Sequence, residues 1–63
     1  MIIKLTNATK EFDGKKFLLN TDEIVSIFEG TDNDGKKAIW VYGKNKDTWQ
    51  VKETLGQIEK LLS

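Results

Sequence analysis

Apolar residues in this chain come in short runs, cut every few positions by polar turn residues, a spacing that suits strands better than long helices. Ile2-Ile3-Lys4-Leu5-Thr6 is apolar and β-branched from the second residue and predicts a strand over 2–6. Asn7 to Phe12 is polar and has no clear period. Asp13-Gly14 is a turn signal of the type I′ kind, followed by a second strand over 15–19 with Phe17 and Leu19 on one face and Leu18 on the other. Asn20-Thr21-Asp22-Glu23 is a polar break. Ile24 to Glu29 predicts the third strand, apolar on both faces and therefore shielded on both sides. Thr31-Asp32-Asn33-Asp34-Gly35 closes a hairpin onto a fourth strand over 36–42, whose Ala38 to Tyr42 segment is the longest apolar run. Gly43 to Asp47 is the next turn, and a fifth strand over 48–52 directs Trp49 and Val51 inward.

The period then changes. Leu55, Ile58, Leu61 and Leu62 share one face of a helix over 54–62, and Thr54 with Gln57 matches the capping-box pattern. Two turns of helix are not stable alone, so the Leu/Ile face must dock on the sheet and complete the core. The expected fold is a single α+β domain over 1–63. It has a small, strongly bent antiparallel sheet or partial barrel of about five strands, with one C-terminal helix.

Length and composition narrow the function more than they name it. Sixty-three residues leave no room for a second core or a cofactor-binding half-domain. The chain has no Cys and no His, which excludes disulfides, thiolate or imidazole metal sites, and Cys or His catalytic triads. No enzyme activity and no cofactor are expected. The Asp32-Asn33-Asp34-Gly35 run fails the calcium-loop pattern at both ends, and Gly43-Lys44-Asn45-Lys46 lacks the Ser/Thr and the helix of a phosphate loop.

Ten Lys and no Arg balance ten acids, for a net charge of zero. Sequence-specific DNA reading usually rests on a positive face and on Arg, so nucleic acid is disfavoured as a partner. The Lys-rich hairpin tips, Lys36 and Lys37 with Lys44 and Lys46, are the candidate anion contact, and a nucleic-acid-binding regulator using them is the alternative reading. No apolar run approaches the roughly 20 residues of a membrane span, and the N-terminus does not read as a secretory signal, so a cytoplasmic protein is expected.

Trp40, Tyr42 and Trp49 lie on adjacent predicted strands with the same parity. Three readings of them stand open: core packing, an exposed platform for a protein partner, or a base-stacking surface. One helix covers one sheet face, so the other needs closure into a barrel or a second chain. Zero net charge also removes the repulsion that keeps small proteins apart, and a homo-oligomer or protein-binding module follows as the expectation.

The phrases Ile3-Lys4-Leu5-Thr6, Gly14-Lys15-Lys16-Phe17-Leu18-Leu19-Asn20, Asp22-Glu23-Ile24 and Val51-Lys52-Glu53-Thr54 together resemble the FlbD-like (swarming motility SwrD-like) small bacterial proteins over nearly the whole chain. That resemblance implies a flagellar or motility accessory role. The stretch from Phe17 to Leu62 is also similar to the second half of a LytTR-type DNA-binding domain, and small phage accessory proteins use such compact β folds too.

Overall fold

The computed structural model describes residues 1–63. Five strands and one helix follow in order: β1 (Ile2–Thr6), β2 (Lys16–Asn20), β3 (Ile24–Thr31), β4 (Lys37–Gly43), β5 (Thr48–Val51) and α1 (Leu55–Leu62). Single 3-10 turns at Thr21–Glu23 and Lys44–Lys46 join β2 to β3 and β4 to β5. The protein is thus a small α+β fold.

The strands form two antiparallel sheets, β1-β2 and β3-β4-β5. The sheets are joined where β1 ends: Asn7 bridges Val51, Ala8 N–H donates to the Gln50 carbonyl (2.9 Å), and Lys52 N–H donates to the Thr6 carbonyl (3.0 Å). Strands therefore connect in the order β2-β1-β5-β4-β3, and the outer pair, β2 and β3, is not bonded. The bent sheet folds over an apolar core. Ile3, Leu5 and Leu19 come from the hairpin, Ile39, Val41 and Val51 from the three-stranded sheet, and Ile58 from the helix.

Local chemistry accounts for the turns. The Asp32 carboxylate accepts the N–H groups of Asp34 (2.8 Å) and Lys36 (2.9 Å), and Gly35 takes φ +77°, so the β3–β4 hairpin closes as its composition predicts. Gly14 also lies in the left-handed region, but Asp13 does not, so the expected type I′ geometry is absent there. Two consecutive positive φ values occur instead at Asn45 (60°) and Lys46 (65°). The polar stretch after β1 becomes turns that return the chain to β2, with Gly14 N–H donating to the Asn7 carbonyl (2.9 Å).

The strands run within two residues of their expected bounds; β3 is the longest extension, to Thr31 rather than Glu29. Register slips once, at Val25, which bulges outward to 66% exposure. The helix has its capping box: Thr54 Oγ1 accepts from Gln57 N–H (3.1 Å), and Gln57 Oε1 accepts from Thr54 N–H (2.9 Å). Its docking corrects the expected four-residue face. Ile58 alone is buried, while Leu55, Leu61 and Leu62 stay partly open to solvent. Eight residues offer only two turns, and the helix meets the sheet chiefly at β3, so one side chain reaches the core.

Candidate functional site

Pairing register decides which aromatics share a face. Phe28 pairs with Trp40, Ser26 with Tyr42, and Gly30 with Ala38; across the other side of β4, Trp40 pairs with Gln50 and Tyr42 with Thr48. Successive side chains of a strand alternate faces, so these eight residues form the outer face of the three-stranded sheet. Val41 pairs with Trp49 and Ile39 with Val51, which puts Trp49 on the inner, core side. Trp40, Tyr42 and Trp49 therefore do not share one parity: the two aromatics of β4 face outward and Trp49 faces inward. Trp49 does turn inward with Val51, as expected; only the shared parity fails, because the five-residue Gly43–Asp47 turn pairs Tyr42 with Thr48.

Each Trp is seated over a glycine of the neighbouring strand. A Cβ at Gly30 would come within 3.1 Å of the Trp40 ring, and one at Gly43 within 2.6 Å of the Trp49 ring. Trp40 Nε1–H donates to the Thr31 carbonyl (3.3 Å), fixing the ring against the end of β3. Phe28 and Tyr42 stack with ring centroids 5.0 Å apart and planes at 30°. They are 40% and 38% exposed, and α1 packs against the opposite, inner face through Ile58. Phe28 is the site residue that sequence reasoning left in a strand without a role; counting outward from the Asp32–Gly35 turn pairs it with Trp40.

The outer face has a second property. Its eight positions carry no charge, in a chain in which 32% of residues are charged. The inner parity keeps its charges at the rim, where the Glu29 carboxylate pairs with Lys37 (2.7 Å). The hydrogen bond to Glu29, with its negative charge, raises the Lys37 ammonium above its ordinary value.

Lys36, Lys37, Lys44 and Lys46 are not brought together. The first two sit at the β3–β4 tip, the other two at the β4–β5 turn, and the seven residues of β4 separate those ends by roughly 20 Å. Lys37 is engaged by Glu29, and Lys36 follows a turn rich in Asp.

Two further features escaped the sequence reading. The Glu53 carboxylate clips the end of β1 to the start of the helix: Oε1 accepts Thr6 N–H (2.9 Å) and Oε2 accepts the Thr6 hydroxyl (2.8 Å). Lys16 Nζ donates to the same hydroxyl oxygen (2.9 Å). Burial pushes the Glu53 carboxyl up, but the two Thr6 bonds, a bond from its own backbone N–H and the Lys16 charge outweigh it and hold the group below its ordinary value. The second feature is an open groove of about 790 Å³ between the Ala8–Phe12 segment, the Asp32–Asp34 turn and β5, with Phe12, Phe17, Trp40 and Trp49 in its walls.

No group of three or more Asp or Glu side chains is placed to hold a metal ion, and no helix is long and apolar enough to cross a membrane. Comparison of the chain with family models, with curated proteins and with solved structures gives no match.

Proposed function

We propose that this protein is a non-catalytic interaction module that self-associates through the outer face of β3-β4-β5. The uncharged aromatic face carries the reading. Scattered exposed apolar residues are ordinary on any protein, but a contiguous apolar surface on a folded sheet marks an interface. Two copies of this face meet without like-charge contacts, and two twisted sheets can stack with their side chains interleaved. Phe28, Trp40 and Tyr42 are the residue types that dominate interfaces.

Magnitude sets the kind of association. Three strands about 4.8 Å apart, of eight, seven and four residues, give a flat footprint of roughly 300 Å², well under the roughly 800 Å² per partner of a standard stable complex. The pair is therefore weak and concentration-dependent, and a protein partner with a larger apolar surface competes with it. The setting we propose is the bacterial cytoplasm, in a flagellar or motility accessory role, on the strength of the resemblance of the Ile3–Thr6, Gly14–Asn20 and Val51–Thr54 phrases.

Amide NMR on dilution tests the interface at residue level. Concentration-dependent shifts should centre on Phe28, Trp40 and Tyr42 and their strand neighbours. Shifts centred on α1 or on β2, with none on this face, rule the assignment out.

A further inference from the structure

The groove beside β5 lies apart from Phe28 and Tyr42 and carries its own chemistry. Its walls combine the four aromatics Phe12, Phe17, Trp40 and Trp49 with three acids, Glu11, Asp32 and Asp34, against one cation, Lys10. A net-zero chain thus presents a locally acidic, aromatic channel. Aromatic faces and carboxylates favour the same guest, an organic cation. The groove is open and long, running from the β3–β4 tip to Thr48 at the far end of β5, a shape for an extended chain rather than an enclosed small molecule.

Hydrogen bonding narrows the guest further. The edge of β5 that borders the groove is taken by Asn7 and Ala8 at Val51 and Gln50, so a peptide cannot add there as a strand along its length. The free polar groups are side chains. Trp49 is anchored by the far edge of its ring over Gly43, and its indole N–H, reachable by solvent, has no partner in the chain. A peptide in the polyproline II conformation needs nothing but such side-chain donors for its carbonyls and aromatic surface for its rings.

We infer that this groove binds an extended proline-rich peptide carrying Lys or Arg. The prolines lie against the aromatic walls, the Trp49 indole N–H donates to a peptide carbonyl, and the cation sits among Glu11, Asp32 and Asp34.

The test uses the full chain and three synthetic ten-residue peptides: one alternating proline with arginine, one with glutamate replacing arginine, and one with alanine replacing proline. Titration followed by amide NMR should give saturable shifts with the proline–arginine peptide, located in Ala8–Phe12, Asp32–Asp34 and Trp49. The glutamate and alanine versions should bind at least about tenfold more weakly, and Asp34→Lys and Glu11→Lys should each cost the first peptide about tenfold. The Asp34 and Glu11 side chains make no hydrogen bond or ion pair within the chain and both residues are exposed, so circular dichroism of both variants should be unchanged. Absence of saturation with the proline–arginine peptide, equal binding of the glutamate peptide, or shifts confined to Phe28 and Tyr42 would each overturn the assignment. The groove shares Trp40, Thr48 and Gln50 with the outer sheet face, so the titration is run at a concentration where the chain is monomeric, and shifts at Phe28 and Tyr42 report self-association separately.

Discussion

Thr9 and Glu53 show the two fates of a polar group taken out of water. Thr9 Oγ1 is buried in the segment after β1 with no hydrogen-bond partner. An unsatisfied buried hydroxyl costs about 1–3 kcal/mol, and an apolar group of the same shape avoids that cost. Thr9→Val should therefore raise stability by about 1 kcal/mol in urea denaturation; a loss of that size would mean that the hydroxyl is satisfied by water. Glu53 is the opposite case, a partly buried carboxylate with every near contact stabilising its charged form except burial itself. Its folded pKa lies below its unfolded one, so the unfolded chain binds the extra proton as pH falls. Its contribution is fully present above the unfolded value of about 4.3 and is lost as pH drops through the folded value. Stability should fall below about pH 4.5 in the native chain, and Glu53→Gln should flatten that slope and cost about 1–2 kcal/mol at neutral pH through the weakened clip to Thr6. An unchanged acid slope in Glu53→Gln would assign the loss to other carboxylates. Neither is legible in the sequence: the Glu53–Thr6 contact joins segments far apart in the chain, the burial of Thr9 depends on what folds around it, and composition says nothing of which Glu meets which Thr.

Elements were readable where their signal is local. The alternation of Ala38 to Tyr42, the Asp-rich turn after Thr31, and the Thr54/Gln57 cap each depend on neighbours within a few residues, and each is present. Misreadings arose where a count had to cross a turn. Trp49 faces inward as expected, but the parity expected to unite it with Trp40 and Tyr42 fails: the five-residue Gly43–Asp47 turn pairs Tyr42 with Thr48, so Trp49 lies beside Val41. The apolar stripe of the helix predicts four docked residues, but two turns against β3 bury only Ile58. That single anchor makes a sharp expectation. A 63-residue domain has a total stability of about 3–9 kcal/mol, and Ile→Ala at a fully buried site costs about 2–5. Ile58→Ala should remove a large part of the stability and bring helical and sheet signals down together on heating. Loss of helical circular dichroism with an intact sheet would mean instead that α1 is an appendage to independently stable sheets.

Across the whole molecule, large apolar side chains are divided almost evenly between inside and outside. Seven large hydrophobic residues form the buried core, while ten, among them Leu18, Val25, Phe28 and Tyr42, remain exposed. A chain this small cannot cover all its apolar surface alone, and the excess is not spread evenly: the outer sheet face holds three aromatics with no charge among them. The two-sided apolar pattern of β4 argues for a second cover, but not which face the β1-β2 hairpin covers and which it leaves open, because that depends on where the hairpin folds back. It folds over Ile39, Val41 and Val51, leaving Trp40 and Tyr42 outward. Molar mass by light scattering over a wide concentration range tests self-association through this face most directly, with Tyr42→Lys as the control. We expect the mass to climb from 7.2 kDa toward twice that value in the native chain and to stay at 7.2 kDa in a Tyr42→Lys variant that remains folded. A native chain at 7.2 kDa throughout, or a variant that associates as well as the native chain, would contradict the account.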